Sequence, residues 1–218
     1  MRSDFKDTYK HKGMRRNLIK ELREKGITNE SVLAAFDNVP RHFFLDLAFT
    51  EQAYSNMAFQ IGAGQTISHP FTVAFQTQLL EVKKGDKILE IGTGSGFQTS
   101  ILCEIGAKVF SIERQRELYS NVGYILKHFH FTPRLSYGDG FKGLPNFAPF
   151  DSIIVTCGAP YVPDALLAQL KVGGRLVIPL GEGSVQRMKL ITKISETEFD
   201  TKEYGDFSFV PMLENKAR

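Results

Sequence analysis

From Lys87 onward, short runs of apolar residues alternate with segments whose apolar positions recur at helical spacing. Strand and helix in strict alternation are typical of a parallel sheet with helices on both faces. The continuous apolar run at 152–155 also indicates a strand that is buried on both faces. The predicted strands are 88–91, 109–112, 135–137, 152–155 and 175–178, with helices through Ile101 and Leu102, from Leu118 to Phe129 and from Asp164 to Leu170.

The pattern changes after residues 181–183, where two strand-like segments follow without a helix between them. Residues 188–191 and 207–210 therefore predict an antiparallel edge that closes the sheet. The fold class that we predict is α/β, with a Rossmann-like doubly wound, mostly parallel sheet, an antiparallel C-terminal edge and N-terminal helices. We expect a single domain over residues 1–218.

Helices and one irregular segment are predicted to precede the sheet. A first helix ends at Gly26, and a second begins at the N-cap Thr28 and ends before Pro40. A further helix begins with Pro70 in its first turn. Residues 41–67 lie between them, lack a clean period and are rich in aromatic residues. A long irregular segment of this kind is usually functional or disordered, and its aromatic content favours function.

Composition agrees with an ordinary folded domain and excludes a chain that is disordered over most of its length. Of the 218 residues, 42% are apolar and 23% are charged, values typical of proteins with a packed core. The formal net charge of +3 is too small an excess to predict nucleic-acid binding. The excess of basic residues lies near the start of the chain, and we interpret it as a solvated helix face.

No feature of the sequence predicts a membrane segment, a leader or a metal site. No apolar run approaches the ~18 residues that a membrane span requires, and the first residues do not resemble a signal peptide. Cys103 and Cys157 lie in apolar segments without the spacing of a zinc site, so we expect buried free thiols and no metal. We therefore expect a cytoplasmic protein that contacts neither membrane nor nucleic acid.

A glycine-rich loop follows the first predicted strand of the sheet. Gly92, Gly94 and Gly96 allow the backbone to turn tightly and to approach a ligand closely. In a doubly wound sheet, such a loop lies beyond the carboxyl ends of the strands, where ligands bind. Glu113 ends the second strand about twenty positions later, where an acidic side chain can accept hydrogen bonds from ribose hydroxyls. The loop and Glu113 together predict an adenosine-containing ligand.

The spacing of the loop distinguishes between two such ligands. Dinucleotides are bound by GxGxxG, whereas this loop has the pattern GxGxG and is preceded by Glu90. A carboxylate there disfavours a pyrophosphate but suits S-adenosylmethionine, which carries a sulfonium and an ammonium cation. Asp139 follows the third strand and could accept a hydrogen bond from an adenine amino group, although a turn role would also explain it.

Several segments resemble the signatures of the protein-L-isoaspartate O-methyltransferase family. Residues 91–96 resemble motif I of class I S-adenosylmethionine-dependent methyltransferases in general. Residues 61–70, with the sequence Ile-Gly-Ala-Gly-Gln-Thr-Ile-Ser-His-Pro, are similar to the signature of the isoaspartate family itself. The resemblance extends from near Arg15 to Met212 and includes the segments 39–42, 53–54, 148–151, 173–179 and 209–211.

The resemblance implies methyl transfer from S-adenosylmethionine to the free carboxylate of an L-isoaspartyl residue in a damaged protein. The ester then closes to a succinimide, whose hydrolysis returns some aspartate. The resemblance also implies that Ser68 is the active-site residue, and we expect it to orient the carboxylate rather than to act as a nucleophile. A plain N-cap role for Ser68 is the alternative, and the two roles can coexist.

The same resemblance implies the remaining site residues and partners. Residues 1–80 would supply N-terminal helices and a substrate loop, and 81–218 would supply the cofactor-binding sheet and C-terminal strands. The partners would be isoaspartyl-containing proteins and peptides, bound by a monomer. Thr66, Ile67 and Val210 would join Ser68 in substrate binding. The residues implied for the cofactor are Glu90, Gly92, Thr93, Gly94, Ser95, Gly96, Glu113, Asp139 and Gly140.

The sequence departs from the family pattern at a few positions. Asn56 stands where the family often has an acidic residue, and Ala58 and Gln60 stand where it often has prolines. Cys157 replaces a small residue that usually follows Thr156. None of these changes removes a predicted cofactor contact, and those from Asn56 to Gln60 could alter which peptides are accepted or how the loop closes.

Three other functions are compatible with parts of the sequence. A methyltransferase that acts on RNA or on a small molecule would have the same cofactor half, but we find no basic and aromatic platform for RNA. A NAD-binding oxidoreductase is disfavoured by the GxGxG spacing. A non-catalytic binding module is disfavoured by the presence of Ser68, Glu113 and Asp139 together.

Overall fold

A seven-stranded sheet lies at the centre of the structure, a computed structural model that describes residues 5–217. The strands are β1 (Phe59–Gly62), β2 (Gln65–Ile67), β3 (Lys87–Ile91), β4 (Lys108–Glu113), β5 (Arg134–Tyr137), β6 (Phe150–Val155), β7 (Leu170–Leu180), β8 (Gln186–Lys193) and β9 (Phe199–Phe207). The order in the sheet is β5-β4-β3-β6-β7-β8-β9. Neighbouring strands from β5 to β7 pair in parallel. The β7–β8 and β8–β9 pairs are antiparallel. The predicted doubly wound sheet with an antiparallel C-terminal edge is confirmed.

Six helices accompany the sheet in the described part of the chain. They are α1 (Tyr9–Glu24), α2 (Glu30–Asn38), α3 (Pro70–Leu80), α4 (Phe97–Ile105), α5 (Arg116–His128) and α6 (Asp164–Ala168). The last helix is shorter than predicted, because Leu170 already begins β7. Within residues 5–217, none of the helices combines the length and the apolar character that a membrane crossing requires.

The central strands are buried on both faces, as their apolar runs predict. In β3, Ile88 and Leu89 are both fully buried but belong to two different clusters of core side chains. Ile153 and Ile154 of β6 divide in the same way. Successive side chains of a strand point to opposite faces, so this division means that helices or loops cover the sheet on both sides. The carboxyl ends of these strands are therefore fixed within a rigid core.

The second helix has a different N-cap from the one predicted. Asn29, not Thr28, caps α2, because the side-chain oxygen of Asn29 accepts hydrogen bonds from the backbone amides of Ser31 and Val32 at 3.0 and 3.2 Å. The backbone amide of Thr28 instead donates to the side chain of Gln78 in α3. The same side chain of Gln78 also accepts from the backbone amide of Asn29 at 3.0 Å, so α3 holds the segment that leads into α2.

The irregular segment contains regular structure that the sequence analysis missed. Short 3-10 helices cover Arg41–Phe44 and Leu47–Gln52, and β1 and β2 then pair as an antiparallel hairpin. The turn of the hairpin places Ala63 in the left-handed region with φ 51°. Gly62 and Gly64 on either side of it also have positive φ, 97° and 66°, so the pair of glycines marks the turn although the short strands beside it had no clear period.

The last strand lies earlier in the chain than predicted. It runs over Phe199–Phe207, whereas the prediction was 207–210. Residues after Phe207 leave the sheet edge and approach the end of β6, where Gly158 donates to the carbonyl of Val210 at 2.8 Å and Met212 donates to the carbonyl of Gly158 at 2.7 Å. The prediction was wrong because an apolar run can cross the end of a sheet as well as extend it.

Candidate functional site

The ends of β3, β4 and β6 open into one cleft, as expected for a doubly wound sheet. The glycine loop lies after β3, and the start of α3 closes the cleft from the N-terminal part of the chain. Most of the predicted site residues lie on its wall: Thr66, Ile67, Ser68, Gly92, Thr93, Gly94, Ser95, Glu113, Gly140 and Val210. The predicted residues that do not line it are Glu90, Gly96 and Asp139. The fold thus brings the predicted cofactor loop and the predicted acceptor segment together.

The glycine loop is held in shape by its own conformation and by Glu113. Gly92 has φ 97°, and a Cβ atom there would lie 2.5 Å from Oγ1 of Thr156, so only glycine fits. The backbone amide of Gly94 donates to one carboxylate oxygen of Glu113 at 2.8 Å, and that of Gln115 donates to the other at 2.7 Å. A carboxylate has about four acceptor sites, so Glu113 is fixed in place and can still accept from a ligand.

Glu90 does not reach the cleft, and the prediction of a direct contact is wrong for this residue. Its side chain is fully buried and accepts hydrogen bonds from the hydroxyls of Thr99 and Ser111 at 2.5 and 2.6 Å. Ile91 lines the cleft instead, because neighbouring residues of a strand face opposite sides. Glu90 can influence a ligand only through Ser111, whose hydroxyl lies 2.6 Å from that of Thr93 on the wall.

Burial also changes the charge of this buried carboxyl. It raises the pKa of Glu90 to about 8, although the hydrogen bonds from Ser111 and Thr99 oppose the shift. The second oxygen of Glu90 has no hydrogen-bond partner among the described residues. Glu90 is therefore mostly neutral at pH 7.

We expect Glu90→Gln to flatten the dependence of stability on pH. A carboxyl whose pKa is raised by folding favours the folded state below its unfolded value, and this contribution is lost as the pH rises toward 8. The loss is on the order of 3–5 kcal/mol for a shift of this size. Gln keeps an acceptor oxygen for both hydroxyls but cannot ionise, so the variant should be more stable than the parent protein at pH 8 and not at pH 4.5.

Urea unfolding at several pH values between 4.5 and 8 measures this difference. Glu117→Gln is the control, because Glu117 is exposed on α5. Parallel stability curves for the parent protein and Glu90→Gln would show that Glu90 does not titrate upon unfolding in this range.

Asp139 is bound by two backbone amides and does not line the cleft, and its contact with an adenine amino group stays a prediction. One oxygen accepts from the backbone amide of Phe141 at 2.9 Å, and the other accepts from that of Asn215 at 3.0 Å. The C-terminal residues thus lie against the carboxylate that was expected to meet the adenine amino group. The adjacent Gly140 does line the cleft, so the loop after β5 contributes backbone rather than this side chain.

Ser68 lies on the wall of the cleft, directly before the helix α3. The N-cap is His69, and the helix begins with Pro70 as predicted. Ser68 therefore does not cap the helix, and its hydroxyl has no hydrogen-bond partner among residues 5–217. The backbone amide of Phe71 is satisfied instead by the side-chain oxygen of Asn56 at 2.9 Å. The side chain of Asn56 thus caps α3 from a neighbouring loop, a contact that an acidic residue at this position could make as well.

The protonation of two other reactive side chains is shifted by burial. Burial, together with the charge of Arg41, lowers the pKa of His69. Burial, and then the charge of Glu113, raises the pKa of Cys157 to about 12. A protonated thiol is a poor nucleophile and a poor metal ligand. The Cys157 thiol on the cleft wall is therefore not a strong nucleophile at pH 7.

The sequence analysis missed several residues of the wall. Thr156 and Cys157 follow β6 and could have been found, because ligands lie beyond the carboxyl ends of parallel strands. Arg114 follows β4 in the same way. Pro211, Met212 and Leu213 were not predictable, since they reach the cleft only through the path of the chain after β9.

The donor set of the cleft fits S-adenosylmethionine better than a phosphorylated ligand. Glu113 and Arg114 are the charged residues on the wall among those described. The Arg114 guanidinium is already bonded to the carbonyl oxygens of Asn215 at 3.1 Å and Glu214 at 3.4 Å. A buried carboxylate beside the start of α4 suits a ligand with cationic groups and ribose hydroxyls, and disfavours a pyrophosphate.

A group of potential metal ligands lies outside the cleft. Asp7, His11 and His42 have ligand atoms within 4.8 Å of one another. Both oxygens of Asp7 accept from the guanidinium of Arg15, and the ring nitrogens of His42 lie 2.8 Å from the Tyr54 hydroxyl and 3.1 Å from a backbone carbonyl. These contacts explain the group as an anchor for the start of the chain.

Comparison with known sequences gives a family match over almost the whole chain. The model of the family described as protein-L-isoaspartate(D-aspartate) O-methyltransferase matches residues 13–217. A protein named protein-L-isoaspartate O-methyltransferase from Flavobacterium psychrophilum is 60% identical over 213 residues, which are 97% of this chain and 100% of the relative. A protein of the same name from Christiangramia forsetii is 58% identical over 213 residues, with 97% of this chain and 100% of the relative covered.

Comparison with solved structures agrees. One structure named protein-L-isoaspartate O-methyltransferase superposes with a TM-score of 0.83 at 26% identity; the match covers 92% of this chain and 66% of that longer one. A second, described as a protein-L-isoaspartate O-methyltransferase from Plasmodium falciparum in complex with S-adenosyl-L-homocysteine, has a TM-score of 0.81 at 24% identity. That match covers 94% of this chain and 99% of the other, and at this identity it supports the fold alone.

Proposed function

Because this chain belongs to the protein-L-isoaspartate(D-aspartate) O-methyltransferase family, we propose that it transfers a methyl group from S-adenosylmethionine to the free carboxylate of L-isoaspartyl residues in proteins and peptides. The observation that carries the proposal is the placement of Ser68 in one cleft with the glycine loop and Glu113. The acceptor segment and the cofactor loop are distant in sequence, and a methyltransferase needs them side by side.

The acceptor side of the cleft is suited to hold a carboxylate. The Ser68 hydroxyl has no partner among the described residues and can donate to a carboxylate oxygen. Thr66, Ile67 and Val210 lie on the same wall and would contact the peptide around that group. The carboxylate is already ionised at neutral pH, so Ser68 has to orient it and not to remove a proton.

The transfer itself needs little chemistry from the side chains. When bound, S-adenosylmethionine supplies an electrophilic methyl group on a positively charged sulfur. An acceptor carboxylate oxygen oriented by Ser68 would form the bond to the methyl carbon, and the electron pair of the broken carbon–sulfur bond would stay on sulfur. No proton moves, and the protein contributes mainly by positioning the reactants and by excluding water. The ester then loses methanol as it closes to a succinimide, and hydrolysis returns some aspartate.

The cofactor side of the proposal rests on Glu113 and the backbone of the glycine loop. Glu113 would accept from the ribose hydroxyls with the acceptor sites that Gly94 and Gln115 leave unused. Gly140 would offer backbone beside the adenine, and Glu90 would act indirectly through Ser111. We also propose that the monomer is active, since one chain supplies both sides of the cleft.

The alternative acceptor, RNA, finds no support in the basic residues near the start of the chain. Five of these side chains pair with carboxylates of the same chain, which agrees with a solvated helix face. The paired residues are Lys10 with Glu51, Arg15 with Asp7, Lys20 with Glu24, Arg23 with Glu30 and Lys25 with Glu21.

Two synthetic peptides that differ only in having L-isoaspartate or L-aspartate at one site test the proposal. With S-adenosylmethionine present, we expect mass spectrometry to show a methyl gain, or the succinimide that follows it, on the isoaspartyl peptide only. In isoaspartate the main chain is one carbon longer and the free carboxylate is attached directly to it, without the methylene that separates the two in aspartate. A site that positions the carboxylate tightly should therefore discriminate strongly between the peptides.

Two results would contradict the proposal. Equal methylation of both peptides would show that the cleft does not recognise the isoaspartyl geometry. Methylation of neither peptide, with S-adenosylmethionine still bound in a calorimetric titration, would mean that the acceptor belongs to another chemical class.

A further inference from the structure

Arg41 is a fully buried cation without a carboxylate partner among the described residues. Its relative exposure is 1%. The guanidinium donates to three backbone carbonyl oxygens: from Nε to Ala53 at 3.0 Å, and from Nη2 to Met57 at 3.1 Å and to Ser68 at 2.8 Å. Its Nη1 atom has no hydrogen-bond partner among residues 5–217. One buried side chain thus joins the irregular segment to the backbone of Ser68.

Such an arrangement is costly for stability alone. Burying a cation carries a penalty of several kcal/mol when no opposite charge compensates it, and apolar residues of similar volume are often no less stable. The carbonyl oxygens of an irregular segment do need donors, and Arg offers a planar fork that can satisfy several at once. The guanidinium also lies over the ring of Phe97, 5.1 Å from its centroid, and Phe97 lines the cleft.

The backbone around Ser68 is held from a second point by the same segment. Arg41 binds the carbonyl of Ser68, and the side-chain oxygen of Asn56 binds the amide of Phe71, three residues later. The hydroxyl of Ser68 itself has no partner among the described residues to fix its direction. The backbone sets the position from which that hydroxyl can reach a ligand, and these two contacts hold the backbone in place.

We propose that Arg41 is a positioning residue for methyl transfer, which clamps the carbonyl of Ser68 so that the Ser68 hydroxyl meets the acceptor carboxylate. Arg41 does not line the cleft and contacts neither substrate nor cofactor directly. Asn56 completes the clamp from the other side of the turn. This inference rests on the proposed function, because it requires Ser68 to bind the acceptor.

Arg41→Lys tests the proposal, since Lys keeps the positive charge but loses the planar fork. We expect kcat/KM for an isoaspartyl peptide to fall by about 10- to 100-fold, as for a small misplacement of a catalytic group. The dissociation constant for S-adenosylmethionine, measured by calorimetry, should stay within about threefold because the glycine loop is untouched. Unchanged kcat/KM in the folded variant would overturn the proposal.

A double-mutant cycle with Ser68→Ala separates positioning from general loosening. If Arg41 acts through the Ser68 hydroxyl, Arg41→Lys should cost less than about threefold in kcat/KM once that hydroxyl is absent. If Arg41→Lys still caused its full loss of kcat/KM in the Ser68→Ala background, Arg41 would not act through the Ser68 hydroxyl. A parent protein that failed to methylate the isoaspartyl peptide would instead overturn the proposed function, so the two failures are distinguishable.

Arg15→Lys is the matched control. Arg15 is also buried, but its guanidinium bonds to Asp7 and to the Tyr54 hydroxyl at 3.1 Å rather than to Ser68. The Arg15→Lys substitution should lower the unfolding temperature without changing kcat/KM by more than about threefold. An equal loss of kcat/KM in both variants would assign the effect to lost stability and overturn the positioning role.

Asn56→Ala keeps the proposal testable if Arg41→Lys does not fold. Removal of this single cap is a loss that a folded domain tolerates, and it frees the other end of the clamp. We expect a fall in kcat/KM that again disappears in the Ser68→Ala background, and recovery in Asn56→Asp, which keeps an acceptor oxygen. A loss of activity that does not depend on Ser68 would contradict the clamp.

Discussion

Ser68→Ala should lower kcat/KM for an isoaspartyl peptide by about 100-fold, the cost of removing one aimed hydrogen-bond donor from an active site. The hydroxyl lies on the cleft wall and has no partner among the described residues, so its removal breaks no internal contact there. The affinity for S-adenosylmethionine should stay nearly unchanged, because the contacts of Glu113 with Gly94 and Gln115 lie elsewhere. Steady-state kinetics with the peptide and calorimetry with the cofactor measure the two quantities separately.

The controls for Ser68 distinguish orientation from nucleophilic catalysis. Ser184→Ala removes an exposed hydroxyl and should be neutral. A nucleophilic serine would become methylated itself. Because we expect Ser68 only to orient the acceptor, mass spectrometry of the parent enzyme with the cofactor alone should show no methylated protein. Full turnover of the folded Ser68→Ala variant would show that the active-site assignment is wrong.

The sheet was predictable because its signals are local and redundant. In β3 and β6, burial on both faces requires apolar residues at consecutive positions, and this is visible in the sequence as runs such as Ile153–Val155. The glycine loop was predictable for a similar reason, since a position such as Gly92 excludes every other residue. Knowing the strand order then places the loops at one edge without any knowledge of side-chain contacts.

The parts that the sequence did not predict depend on contacts between distant positions. Gln78, far along the chain, binds the backbone amides of both Thr28 and Asn29 at the start of α2. The carboxylate of Asp139 binds the amide of Asn215 because the chain after β9 returns to it. No local pattern encodes such returns.

The roles of Glu90 and Arg41 also depend on contacts that the local sequence does not show. The sequence placed Glu90 next to the loop correctly, but the alternation of β3 directs its side chain to Thr99 and Ser111. Arg41 has an unremarkable position after a proline, and its role is visible only once three carbonyl oxygens converge on it. A buried charge is defined by what surrounds it, and sequence spacing does not give that.

Glu113→Ala should weaken the binding of S-adenosylmethionine by about 30- to 100-fold, which corresponds to the loss of one or two hydrogen bonds to a charged group. The substitution removes the acceptor proposed for the ribose hydroxyls. It also removes the hydrogen bonds from the amides of Gly94 and Gln115 to Glu113, and these bonds help to hold the glycine loop in shape. The loss should be the same for any acceptor peptide, because it belongs to the cofactor. Calorimetric titration gives the dissociation constant directly, and kcat at saturating cofactor should fall much less.

Glu113→Gln and Glu117→Ala complete this experiment. Gln keeps one acceptor oxygen but loses the charge. The affinity of Glu113→Gln for S-adenosylmethionine should therefore lie between those of the parent protein and Glu113→Ala. Glu117 is an exposed carboxylate in the first turn of α5, and its removal should leave the affinity for S-adenosylmethionine unchanged. Titrations are made below the unfolding temperature of each variant, because the loop also loses an internal anchor. If the folded Glu113→Ala protein bound S-adenosylmethionine as tightly as the parent, the carboxylate would be a support for the loop and not a contact of the cofactor.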